Sequence, residues 1–126
     1  MYNPDKQVSE ILSAPKYLLD TSTIKEAILF LQEHKIGSVL VVNEYVELVG
    51  IFTERDVLMK VAAKGDQILS ESITKFMTAD PISLKEEDTV ATIAKAMKKG
   101  NFRHVPIINE LNKPVGIVSI KDLFML

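Results

Sequence analysis

At 126 residues the chain is long enough to bury a real core, and its formal net charge of −2 gives no overall basic field of the kind that nucleic acid or an acidic membrane would require. It contains no cysteine, which removes disulfides, thiolate metal sites and a thiol nucleophile together. The first residues carry no apolar signal core and no apolar run approaches the roughly 20 residues that span a bilayer, so a soluble cytoplasmic protein is expected.

Taken in order, residues 6–13 place Val8, Ile11 and Leu12 at helical spacing before Pro15. A short extended piece over 17–19 leads to Thr23-Ile24-Lys25-Glu26, a capping box in which hydroxyl and carboxylate satisfy each other's orphan N–H groups. Ile24, Ala27, Ile28 and Leu31 then form the apolar stripe of an amphipathic helix ending near Lys35 to Gly37. Residues 39–42 are almost continuously apolar, as in a strand covered on both faces. A turn at Asn43 and Glu44, a strand over 48–52 and a helix over 56–64 follow, with Gly65 as the stop. Residues 65–72 read as a tight connection.

The order then repeats. Ile73, Phe76 and Met77 open it, residues 82–84 are extended, and Val90, Ile93, Ala94 and Met97 restate the helical stripe before Gly100 or Asn101 ends it. Residues 105–108 and 114–119 are strands. From Asp20 onward the two copies align without a gap at an offset of 66, which pairs Thr23 with Thr89, Asn43 with Asn109 and Gly50 with Gly116. The most telling copies are Gly50-Ile51-Phe52-Thr53-Glu54-Arg55-Asp56 and Gly116-Ile117-Val118-Ser119-Ile120-Lys121-Asp122. Each reads as a glycine turn, a β-branched strand, a hydroxyl residue and an aspartate as a helix begins, a corner whose free N–H groups and dipole favour an anion. A unit this small cannot bury both faces of its sheet alone, so the expected fold is α+β, with two tandem β-α-β-β-α repeats (residues 1–68 and 69–126) packed sheet to sheet about a pseudo-two-fold axis.

With both corners identified, together with Phe102-Arg103-His104-Val105-Pro106 and Met77-Thr78-Ala79-Asp80-Pro81-Ile82, the sequence resembles a tandem pair of cystathionine β-synthase (CBS) domains, a Bateman module. The resemblance implies a regulatory module that binds an adenosine nucleotide such as AMP, ADP or ATP between the repeats, dimerises with itself and controls an unspecified protein, with no catalytic cofactor. It assigns ribose to Asp56 and Asp122 with Thr53 and Ser119 beside them. It assigns phosphate to Arg103, His104, Arg55 and Lys121, the first two serving the Asp56 side. The adenine slot falls to Ile51, Ile117, Ile36, Phe102, Ile82, Thr78, Asp80 and Lys16. Gly37 and Ser38 stand where the second repeat has Arg103 and His104, so the Asp56 side is expected to prefer phosphorylated ligands.

Plainer readings accompany these. Thr53-x-x-Asp56 and Ser119-x-x-Asp122 also fit simple helix caps, and Arg55 and Lys121 fit solvated first-turn positions. Met59, Met77, Met97 and Met125 fit core or dimer-face filler, and two histidines without cysteine give no transition-metal pattern. No phosphate-binding glycine loop, nucleophile motif or zinc-ligand spacing argues for an enzyme. A ligand-free dimerisation scaffold and a severed regulatory piece of a larger enzyme or transporter remain as alternatives.

Overall fold

A computed structural model describes residues 3–124. Helix α1 (Ile24–His34) begins where the capping box requires: the Glu26 N–H donates to Thr23 Oγ at 3.1 Å, and Thr23 N–H donates back to the Glu26 carboxylate at 2.9 Å. Ile24, Ala27 and Leu31 turn inward, and Lys35 closes the helix in the left-handed region at φ 54°. Strand β2 (Ser38–Val42) is buried at every position, the consequence of cover on both faces.

Strand β2 lies between β1 (Tyr17–Leu19), parallel to it, and β3 (Leu48–Thr53), antiparallel; β4 (Thr78–Ala79) completes the order β1-β2-β3-β4. Ile24, Val39, Val41, Phe52 and Ile73 meet in the core of this unit. The connection after Gly65 is itself ordered, a 3-10 turn over Asp66–Ser70 that buries Ile68.

The second repeat builds the same pieces with shorter pairing. Helix α3 (Val90–Gly100) is capped by Thr89, whose hydroxyl accepts from Thr92 N–H, and it ends at Asn101 with φ 55°. Strands β5 (His104–Ile108) and β6 (Pro114–Ser119) pair antiparallel, with a bulge between Ile107 and Ile108 that matches the one between Val41 and Val42. A single parallel bridge from Leu84 to Ile107 stands where β1 pairs Leu18 with Val41. Val8, Val90, Ile93, Val105 and Val118 are fully buried in this unit.

Contacts divide the chain into Lys16–Pro81 and a second unit that joins the residues up to Pro15 to those from Ile82 on. This partition crosses the sequence boundary at 68 and 69, because the segment that leads into each repeat is incorporated in the other repeat's unit. Ser72 bridges Thr23 as Gln7 bridges Thr89, and Thr78 pairs with Ile51 as Ser13 pairs with Ile117. Each lead-in covers the open edge of a strand that would otherwise present unpaired main-chain groups.

Two helical expectations change. Over residues 6–13 only Val8–Glu10 forms a 3-10 turn, since Ser13 exchanges both main-chain hydrogen bonds with Ile117 at 2.9 and 3.1 Å instead of extending a helix. The helix expected over 56–64 consists of α2 (Glu54–Asp56) followed by a wide π turn (Val57–Val61), in which Ala62 N–H reaches Val57 C=O at 2.8 Å. Helix α4 (Ile120–Phe124) follows β6, and Met125 lies outside the described residues.

Candidate functional site

Both corners are assembled by the main chain. Glu54 N–H donates to Gly37 C=O at 2.9 Å, and Ile120 N–H donates to Arg103 C=O at 2.8 Å, so in each unit the loop before the middle strand fixes the start of the helix. Thr53 N–H then donates to Asp56 Oδ2 at 2.9 Å, and Ser119 N–H donates to Asp122 Oδ2 at 2.7 Å. The N–H groups of Thr53, Glu54 and Asp56, and those of Ser119 and Ile120, are therefore engaged within the corners and do not stand free for an anion. The capping reading holds at Thr53, whose hydroxyl donates to Asp56 Oδ2 at 3.2 Å and accepts from Asp56 N–H at 3.2 Å.

The glycines ahead of the corners are strand residues and not turns. Gly50 lies inside β3 and Gly116 inside β6. Each is needed for close approach: a Cβ on Gly50 would collide with the Met77 thioether, and one on Gly116 would lie 2.8 Å from Ser13 C=O.

Around Asp56, the unit Lys16–Pro81 gathers much of what the sequence nominated. Leu40 N–H donates to Lys16 C=O at 3.0 Å, Leu40 pairs with Ile51, and Ile51 pairs with Thr78, so these residues form one row across the sheet. Ile51 is buried, while Lys16 and Thr78 are exposed. Asp80 is exposed at φ 47°, its N–H on Val49 C=O, and half-buried Ile36 follows the end of α1. Arg55 is exposed beside the buried Asp56.

The other unit holds Asp122, half-buried, with exposed Lys121 beside it. His104 is the strand partner of Ser119, and exposed Arg103 borders the same corner through its carbonyl. Ile117 pairs with Pro106 and Ser13. Phe102 is half-buried against this core, and Ile82 is exposed.

Sequence reasoning passed over Lys60. Its ammonium lies 3.0 Å from Asp56 Oδ1 and donates to Phe76 C=O at 3.1 Å. The four-residue spacing from Asp56 along one helical run was the available signal. With this contact Asp56 is only 8% exposed and every oxygen is engaged; among the described residues no buried side-chain N or O lacks a partner. An open depression of about 400 Å³ at the β5–β6 turn, lined by Lys85, Glu86, Asn109 and Glu110 among others, contains none of the nominated residues. Among the described residues no cluster is suited to a metal ion, and no helix is long and apolar enough to cross a membrane.

The chain is an α+β protein of two repeats, in each of which a strand ends in a hydroxyl residue whose N–H donates to the aspartate three positions on. The CBS domain family model matches residues 8–63 and 71–126, and the chain belongs to the CBS domain family. It is 36% identical over 118 residues to an uncharacterized 17.7 kDa protein of Acidianus ambivalens, covering 93% of this chain and 70% of that protein. It spans 53% and 23% of the lengths of two further curated relatives. Among solved structures it is similar to the CBS domain protein PAE2072 from Pyrobaculum aerophilum complexed with AMP, with 31% identity, TM-score 0.85, and 93% of this chain and 89% of that one covered. It is also similar to the CBS domain pair of protein MJ0100 in complex with 5′-methylthioadenosine and S-adenosyl-L-methionine, with 30% identity, TM-score 0.84, and coverage of 95% and 98%.

Proposed function

We propose that this chain is a regulatory module that binds an adenosine nucleotide of the AMP, ADP or ATP class through its Asp56 and Asp122 corners. The observation that carries the reading is the duplicated carboxylate, pinned at one oxygen by the N–H of the hydroxyl residue three positions earlier, at 2.9 Å in one repeat and 2.7 Å in the other. A pinned carboxylate keeps lone pairs in fixed directions, which suits acceptance from the two hydroxyls of a ribose. The AMP, 5′-methylthioadenosine and S-adenosylmethionine in the similar structures all carry that sugar. Ile51 and Ile117 offer aliphatic surface to adenine, and Arg103, His104, Arg55 and Lys121 supply cationic reach to phosphate.

The module acts without catalysis, as a cytoplasmic homodimer reporting to a separate protein. Ligand shifts it toward the conformation that binds ligand better, by no more than the difference in affinity between conformations. Each ribose bond to an ionised carboxylate contributes roughly 1.5–3 kcal/mol, so removing either aspartate weakens its own corner by about two orders of magnitude. Calorimetry with AMP on Asp56→Ala and Asp122→Ala tests this. The larger loss is expected for Asp56→Ala, and unchanged binding in both variants would refute the assignment.

The scaffold reading is favoured by one specific fact: at the Asp56 corner both carboxylate oxygens are already engaged within the chain. Melting with AMP, ADP, ATP, S-adenosylmethionine and NADH separates the two, since a ligand bound only by the folded chain must raise Tm. No rise with any of them leaves the scaffold.

A further inference from the structure

We propose that Lys60 is a positioning residue for the ribose-accepting carboxylate of Asp56, a role that rests on the adenosyl-binding reading above. Three observations meet here. Asp56 is fixed at both oxygens, Oδ2 by Thr53 N–H at 2.9 Å and Oδ1 by Lys60 Nζ at 3.0 Å. Lys60 is itself tied to the main chain, by its bond to Phe76 C=O at 3.1 Å. The π turn Val57–Val61 that carries Lys60 starts directly after Asp56, and such turns occur often at functional positions.

The physical consequence concerns rotation. The terminal torsion of an aspartate is broad, and a carboxylate held at one oxygen can still swing. Two anchors on opposite oxygens fix its plane, so that a cis-diol can donate to the remaining lone pair of Oδ1 and, in exchange for the Thr53 hydroxyl that donates at 3.2 Å, to Oδ2. The Phe76 carbonyl makes the second anchor stiff, because a lysine with one partner would wander on four rotatable bonds. An ordinary surface pair lacks this construction: Lys75 and Glu71 are also four apart and 2.9 Å from contact, yet their side chains are 62% and 34% exposed, against 42% and 10% for Lys60 and Asp56. The repeat lends a contrast in sequence, since Leu126 occupies the position 66 residues after Lys60.

The test is an AMP titration by calorimetry in an Asp122→Ala background, so that only the Asp56 corner is read, with 5′-methylthioadenosine substituted if AMP gives no heat. Lys60→Met, which keeps the apolar stem, is expected to weaken binding about tenfold, while Lys60→Arg stays within about threefold of the parent. Lys75→Met serves as the surface control and leaves binding unchanged. In an Asp56→Asn background Lys60→Met is expected to add less than about a twofold further loss, because the group it positions is gone. A merely structural lysine would weaken binding by the same factor in both backgrounds, and that result overturns the proposal, as does unchanged or tighter binding in Lys60→Met. Melting curves identify any variant that has lost the fold, and Lys60→Gln then replaces Lys60→Met under the same criteria. If the parent binds neither probe, the adenosyl reading fails and takes this inference with it. Binding by the parent with no change in Lys60→Met overturns this inference alone.

Discussion

The corner ending at Asp56 and the corner ending at Asp122 share a main chain and differ in what surrounds the carboxylate. Their defining bonds agree closely: Glu54 to Gly37 at 2.9 Å against Ile120 to Arg103 at 2.8 Å, with the sheet bulge at the same step of each repeat. The side chains diverge. Asp56 is buried and paired with Lys60, whereas Asp122 is half-buried; the sheet around Asp56 has four strands and the one around Asp122 has two. Backbone donors and acceptors must be satisfied in any copy, so their pattern tolerates little drift. A side chain has only to fit its own surroundings, and Phe52 and Val118, or Gly37 and Arg103, can therefore occupy equivalent places.

The contrast is greatest in the cores. Phe52 and Val118 are both fully buried at matching positions, but the ring fills far more volume. Phe52→Ala is expected to destabilise by roughly 3–5 kcal/mol, and Val118→Ala by about 2 kcal/mol from two lost methyl groups. Urea unfolding of both variants checks this, and equal losses would show that the cavity at Phe52 collapses. The strand glycines come next. A methyl on Gly116 meets Ser13 C=O at 2.8 Å, an atom held by its pairing with Ile117, while the nearest atoms to one on Gly50 belong to the flexible Met77 side chain. Gly116→Ala is expected to lose roughly 1–3 kcal/mol, and Gly50→Ala less, because a thioether can turn aside. Reversal of that order in unfolding midpoints would mean that the Ser13 edge is the softer one.

These positions also explain what the sequence could reveal. The stripes Ile24-Ala27-Leu31 and Val90-Ile93-Met97 were readable because a helix writes its buried face at fixed spacing, and the Thr23 and Thr53 caps because the bonding residues are three apart. The exchange of lead-in segments was not. Gln7 with Thr89 and Ser13 with Ile117 are pairings far apart in the chain, and the short stretches that make them carry no periodicity of their own. Val8 and Ile73 fill equivalent places at an offset of 65, one short of the 66 that relates the rest, which hides the match. The π turn was illegible for another reason: Val57-Leu58-Met59-Lys60-Val61 has no glycine or proline to mark a change of pitch, so the Lys60 to Phe76 contact had no local sign.

The smallest expected effect compares the two helix ends. Lys35 and Asn101 close α1 and α3 in nearly the same left-handed geometry, φ 54° and ψ 47° against φ 55° and ψ 46°. A Cβ-bearing residue is strained there, and asparagine tolerates the region better than lysine does. Both caps donate their N–H back into the last helical turn, Lys35 to Gln32 C=O and Asn101 to Met97 C=O, so the backbone has the same reason to bend left in each. Lys35→Asn is therefore expected to stabilise by about 0.5 kcal/mol and Lys35→Gly by up to about 1 kcal/mol, because glycine removes the Cβ clash but adds chain entropy to the unfolded state. Asn101→Lys should lose what Lys35→Asn gains, and thermal melts of the two single variants and of the swap measure it. A swap that leaves Tm unchanged while each single variant moves it in opposite directions would make the ends equivalent. Lys35→Asn with no effect would mean that the lysine stem, lying along the end of α1, offsets the strain of its own backbone.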